Sequence, residues 1–178
     1  MSAPSLYARL LGPAFERLAP ALQSIHDART TKLYVGRCDI RGGDGWLART
    51  IARIAGLPLA RMDVPLEVTI DTHAATERWV RKFGAHRMQS RLAVRNQRLE
   101  ERLGPLVLAF ELAAEQERIV WTLHSARLAF LRLPLTWLLK CAASEAIDDG
   151  RYGFDVSAHV RGIGLIVHYR GWLVSHDG

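Results

Sequence analysis

At 178 residues the chain is long enough for one domain with a sizeable core and too short for two comfortable ones. A hydrophobic fraction of 49% is ordinary for a globular protein, and no apolar run approaches the roughly 20 residues that span a bilayer as a helix. The net charge of +6 comes from Arg residues scattered along the chain with only three Lys, which points weakly to an anionic partner and disfavours nucleic acid. The N-terminus lacks a basic segment followed by an apolar one, so a cytoplasmic location is expected. Cys38 and Cys141 supply neither a disulfide framework nor a metal cluster and read as small buried hydrophobes. The expected organisation is a single domain over 1–178: a helical segment over 1–30, then an antiparallel meander over 31–178 with a helical insertion at about 45–56.

Ser5 is placed to cap a helix over Leu6 to Arg17, which Gly12-Pro13 divides. Leu18, Leu22 and Ile25 continue an apolar stripe towards His26-Asp27. Thr31 to Ile40 reads as a strand ended by Gly42, Gly43 and Gly45. Asp44 is expected to cap a short helix, Trp46 to Ala55. Trp46, Leu47, Ile51 and Ile54 share one flank of that helix, and Arg49 and Arg53 the opposite one. It reads as a plug at one end of the sheet, or else as a lid or an interfacial helix making peripheral contact with an anionic membrane.

From Val64 the pattern has period two. Val64 to Asp71, Glu77 to Phe83, His86 to Val94, Arg98 to Leu103, Leu106 to Ala113, Arg118 to Phe130 and Ala142 to Asp148 are expected strands, with Thr72 to Ala75 a loop and Pro134 to Lys140 a helical turn. Gly84-Ala85 and Asp149-Gly150 are two-residue hairpin turns. The last hairpin, Tyr152 to Val174, turns at Arg161-Gly162 and sets Phe154 opposite Tyr169, Val156 opposite Val167 and Asp155 opposite His168. Eight to ten short-linked strands must hide their edges, so the fold class is mainly β (α+β): a curved antiparallel meander forming a barrel or half-barrel, similar to the calycin and lipocalin group. Short helices lie N-terminal to it and between its first two strands.

Chemistry concentrates at the Gly84-Ala85 hairpin, where Phe83 opposes His86, Arg81 Met88, Trp79 Ser90 and Glu77 Leu92. Arg81 then lies among Trp79, Phe83, Met88 and Leu92 and needs a partner, since an unpaired buried charge is costly. Glu77, Glu101 or Glu111 is one solution, and the anionic head of a ligand is another. On the opposite face Arg78 meets Arg91 and Lys82 meets Arg87, a repulsion that nearby acids, solvent or an anionic partner would relieve. Asp155, His168 and Ser157 are weak catalytic candidates; a solvated ion pair is the preferred reading, because no Gly-x-Ser-x-Gly elbow is present. His124, His159 and His168 show no metal-ligand spacing, and Gly42-Gly43-Asp44-Gly45 lacks the spacing and Lys of a phosphate loop. No metal and no cofactor are expected.

Several stretches taken together resemble a known family. These are Leu6-Tyr7, Leu10-Leu11-Gly12, Phe15, Pro20, His26-Asp27, Asp63-Val64-Pro65, Glu77-Arg78-Trp79 with Arg81, Phe83-Gly84, Ser90, Gly104-Pro105-Leu106 and His168-Tyr169-Arg170-Gly171-Trp172-Leu173. In that combination the chain resembles the bacterial domain of unknown function 4166 family over nearly its whole length. The resemblance implies a self-contained domain, found alone or joined to saccharopine-dehydrogenase-like reductases or membrane segments, and brings no catalytic residues. Met88 stands where the family usually carries an aromatic residue.

The function expected from these readings is a non-enzymatic barrel-like module binding an apolar or amphipathic small molecule. Arg81 is its polar anchor, with Trp79, Phe83, Met88, Ser90, Tyr169 and Trp172 completing the ligand site. The alternatives are an accessory interaction domain for a reductase or membrane protein, and a small hydrolase or isomerase using His168, Asp155 and Ser157. A cavity around Arg81 without an internal carboxylate partner favours the ligand. A filled core with Arg81 paired to a Glu favours the interaction domain.

Overall fold

Strict alternation of inward and outward side chains requires a sheet with two different faces, and here the sheet closes on itself. The computed structural model describes residues 4–26, 31–73, 75–128 and 135–176. Ten antiparallel strands follow one another in chain order around a closed barrel, and the first pairs with the last. They are β1 (Lys32–Gly42), β2 (Arg61–His73), β3 (Thr76–Phe83), β4 (His86–Arg95), β5 (Arg98–Leu103), β6 (Leu106–Glu115), β7 (Arg118–Leu128), β8 (Leu139–Asp148), β9 (Arg151–Val160) and β10 (Gly164–Ser175). Closure removes the exposed edges that a long meander would otherwise present to other chains. Positions 129, 130 and 134 of the expected strand end and helical turn, Ala74 of the expected loop, and Asp27, lie outside the described residues. Of the expected helical turn the described part is a turn at 136–138, and Leu139 already belongs to β8.

Turn chemistry sets most of the registers. Gly84 takes a φ of +57° at the first loop position, and the β3–β4 ladder pairs Phe83 with His86, Arg81 with Met88, Trp79 with Ser90 and Glu77 with Leu92, the predicted register. Asp149 and Gly150, both at positive φ, join β8 to β9 as expected. The last hairpin departs from expectation. Its turn has three residues, Arg161 to Ile163, and a bulge lies between Leu165 and Val167, so Phe154 faces Gly171 and Tyr169 faces Val156. Beyond the bulge the slip is two residues, a whole period, so Val167 to Leu173 stay on their predicted faces; Leu165, on the turn side of it, pairs with His159 instead of Ala158 and leaves the face it was expected to share with Phe154 and Val156.

The β1–β10 seam completes the cylinder, and glycines permit it. A Cβ at Gly36 would fall on the Trp172 carbonyl oxygen, and one at Gly171 would lie 2.7 Å from both Cα and Cβ of Cys38. The two strands coil so tightly there that backbone occupies the space of a side chain.

Helices fill one end. Ser5 caps α1 (Leu6–Leu11) by accepting from Ala8 N at 3.1 Å, Gly12 breaks the chain, and α2 (Pro13–Glu16) and α3 (Pro20–His26) follow. α1 packs on β4, β5 and β6 and α3 on β8, which brings Leu6, Tyr7, Phe15, Leu18, Leu22 and Ile25 into the main core. α4 (Trp46–Ile54) behaves differently from the expected plug: Ala48 and Ala52 seat it on Ile166, on the outer wall of β10. Its N-cap is Gly45 rather than Asp44, and the Asp44 carbonyl instead accepts from Arg49 at 2.6 Å. Among the described residues no helix is long and apolar enough to cross a membrane.

Replacing Gly36 or Gly171 by Ala is expected to destabilise the barrel by about 2–4 kcal/mol, because backbone must move. Gly42→Ala, whose Cβ would meet nothing closer than 3.6 Å, should stay within about 0.5 kcal/mol. Urea denaturation of the three variants measures the difference.

Candidate functional site

Parity around the closed barrel sends Glu77, Trp79, Arg81 and Phe83 of β3 inward together with Met88, Ser90 and Leu92 of β4. Arg81 cannot reach water as a surface arginine would, so its donors turn to neighbours along the wall. Nη1 donates to Ser90 Oγ at 2.9 Å, and both terminal nitrogens lie 3.4 Å from Glu101 Oε1, two strands away on β5. The guanidinium also stands 4.9 Å from the centre of the Trp79 ring. Burial works most strongly against the Arg81 charge, but Glu101 together with Tyr169, Tyr7 and Tyr152 outweighs it and holds the pKa above its usual value. Of the three partners weighed from the sequence, Glu101 is the one used. Glu77 instead accepts from Trp79 Nε1 at 2.9 Å, and Glu111 pairs with Arg98 on the outside.

A second polar cluster ties the helical plug to the wall. His26, at the end of α3, places Nε2 2.7 Å from Glu145 Oε2 on β8, and both side chains are buried. Tyr7 stacks on the imidazole with ring centres 3.6 Å apart, and Tyr152 meets it edge-on. Burial, reinforced by Glu145, pushes the Tyr7 and Tyr152 phenols well above their ordinary range. Tyr7 Oη, His26 Nδ1 and Trp121 Nε1 are buried without a hydrogen-bond partner among the described residues. Nothing in the sequence pairs His26 with Glu145 in advance. The readable signal was Glu145 itself, the one charge on a face shared with Cys141, Ala143 and Ile147.

Between the clusters lies a cavity of about 70 Å³. Trp79, Trp121, Tyr152, Phe154 and Tyr169 wall it, Leu66, Val68, Phe83, Val156 and Leu173 add apolar surface, and Arg81, Glu101 and Glu145 carry its charge. Arg81, Trp79, Phe83 and Tyr169 are thus brought together. Ser90 bonds Arg81 from beside the cavity, and Met88 is buried in the same core. Trp172, expected as a further wall, faces outward, because Tyr169, Gly171 and Leu173 take the inward positions; its ring lies under the Arg151 guanidinium at 4.5 Å. Burial raises the thiols of Cys141, to about 12, and Cys38, to about 11, so neither is a thiolate near neutral pH.

The weak catalytic candidates lie on the outer wall. His168 Nε2 and Asp155 Oδ1 are 2.9 Å apart, diagonal in the ladder, since Asp155 faces Arg170 and His168 faces Ser157. Asp155 is half exposed. It borders a broad outer groove in which Asp39, Asp148 and Asp155 alternate with Arg118, Arg151 and Arg170. On the basic face of the β3–β4 hairpin the arginine and lysine repulsion is relieved locally: Arg78 donates to Gln89 at 3.0 Å and Lys82 pairs with Glu67 at 2.8 Å.

Glu77 gives a pH test. Burial raises its carboxyl pKa, opposed by the Trp79 hydrogen bond and His26. A carboxyl raised in the folded state is neutral at low pH in both states, and it costs stability as pH climbs from the ordinary carboxylate range through the raised value. Glu77→Gln, which keeps an acceptor for Trp79, should therefore raise Tm at pH 7 and change it little near pH 4, as thermal melts across that range would show.

The chain matches, over residues 18–173, the family described as Domain of unknown function (DUF4166). It is also similar to the structure titled "Crystal Structure of Rv2717c from M. tuberculosis", with 16% identity, 90% of this chain and 99% of that chain covered, and a TM-score of 0.49. No curated protein matches it.

Proposed function

The chain belongs to the DUF4166 family, and we propose that its barrel is a binding module for a small apolar or amphipathic molecule, held in the cavity with its polar end at the Arg81–Glu101 pair. The observation that carries this reading is an ion pair buried beside a void. An ion pair sealed in a core is a weak source of stability, and apolar residues of similar volume often do as well or better. A void among aromatic rings forfeits contacts that filled packing would make. Both are explained if a ligand completes the site: its apolar body lies against Trp79, Phe154 and Tyr169, and its polar end shares the donors of Arg81 or Trp121. The site's shape limits the guest to a few non-hydrogen atoms unless side chains move.

His26 does not line the cavity, and its unpaired nitrogen belongs to a ring stacked on Tyr7. The His26–Glu145 dyad therefore fastens α3 rather than serving as a base for a bound substrate. The Arg81–Glu101 pairing by itself favours the second reading, an accessory interaction domain, and the cavity beside it weighs the other way.

Ala143 lies in the cavity wall, and Ala143→Leu adds volume to that wall without altering a residue of either ion pair. Native mass spectrometry of the wild type and this variant from the same cells, with organic extraction, decides between the readings. A stoichiometric extra mass on the wild type, reduced about tenfold or more in the variant, is expected, a loss of about 1.4 kcal/mol or more in binding. A bare mass for both, with nothing extracted, would favour the interaction domain.

A further inference from the structure

We propose that α4 and the segment after it form a docking surface for an anionic membrane, an inference independent of the interior cavity. The helix is amphipathic in an inverted sense. Its small residues, Ala48 and Ala52, face the barrel with Ile51 packed partly beside them, while Trp46, Leu47 and Ile54 face away. Trp46 is 69% and Ile54 73% exposed, and Leu47 on the helix and Leu59 and Met62 in the segment after it are exposed as well. Burying those side chains within the fold was open to the sequence, since the helix has one apolar flank; the small residues seat it the other way round. Gly43 shows how close that seating is: a Cβ there would lie 2.7 Å from the Ala48 Cβ.

Charge selects the occupant. α4 carries Arg49 and Arg53 and no acid, and Arg61 opens β2 beside Met62. None of these three arginines has an ion-pair partner among the described residues; Arg49 donates only to the Asp44 carbonyl. Protruding apolar side chains flanked by unpaired guanidinium groups suit an interfacial helix lying in the plane of anionic head groups, with its Trp at the boundary. Trp137 stands exposed at the neighbouring turn, which is joined to the β9–β10 turn through Arg161 N and the Leu138 carbonyl at 2.8 Å. The surface is convex, a helix on the outside of a cylinder, so it offers a yielding lipid layer more contact than it offers the rigid face of another protein.

Flotation of the full chain with vesicles of phosphatidylcholine and phosphatidylserine at about two to one tests the proposal. Expected are binding to these vesicles that weakens as salt rises, little binding to pure phosphatidylcholine, and about tenfold weaker binding for Trp46→Ser/Ile54→Ser and for Arg49→Gln/Arg53→Gln. All four side chains are exposed, so both variants should melt with the wild type. Failure to float with anionic vesicles would overturn the proposal, as would binding that neither variant weakens. A dimer in sedimentation that dissociates in Trp46→Ser/Ile54→Ser would also overturn it by assigning the face to a second copy of the chain.

Discussion

The hydrogen-bonded seam between β1 and β10 is the constraint on which the rest of the molecule depends. An open meander tolerates a residue of uncertain facing at its edges; a closed one does not. Once Tyr34 to Gly42 pair with Val167 to Ser175, the facing of one strand is carried to its neighbours around the cylinder, adjusted only at the bulges. Gly36 and Gly171 make the closure sterically feasible, where each strand passes too close to the other for a side chain. Everything facing inward must then be satisfied inside.

Most inward positions are apolar, and beside Glu77, which accepts from Trp79, two polar groups stand out with different consequences. His26 and Glu145 join elements 119 residues apart in sequence and hold the helical plug against β8. Removing either partner would leave the other buried without compensation, a loss of about 3–5 kcal/mol by comparison with other buried pairs. Arg81, Ser90 and Glu101 form the other group, spanning three consecutive strands, and Arg81 and Glu101 face space that no described side chain fills. The first group has a structural reason in full view. The second has one only when the cavity is considered with it.

Local features of the chain were readable wherever two nearby segments determine the outcome. The Gly84-Ala85 turn specified a register that placed Arg81 inside with Trp79 and Phe83, because a two-residue hairpin leaves the pairing no freedom. Arg161-Gly162 was less decisive: Gly162 and Gly164 both take positive φ, the turn extends to Ile163, and a bulge follows, none of which alternation reveals. Beyond the bulge the faces survived because the error there was a full period, whereas Leu165 before it changed face. Trp172 was misplaced although alternation was legible there: it has the parity of His168 and Arg170, which puts it on the outer face, where Arg151 covers it. The orientation of α4 could not follow from its moment alone, as two alanines against Ile166 outweighed a larger apolar flank. The His26–Glu145 contact, between distant segments, had no local signal beyond an isolated Glu on an apolar face.

If the barrel binds a ligand as proposed, Arg81 and Glu101 are retained for what they hold rather than for the stability they lend. Replacing both at once, Arg81→Met with Glu101→Gln, removes the charges while roughly keeping the volume. The direct measurement is the denaturant midpoint of this double variant against the wild type, each stripped of bound molecules by organic extraction and refolding. A midpoint equal to or above that of the wild type is expected, since a buried pair exchanged for well-packed neutral residues is often neutral or stabilising. A midpoint lower by the equivalent of several kcal/mol would show that the pair is part of the scaffold, and the case for a ligand at Arg81 would fall with it.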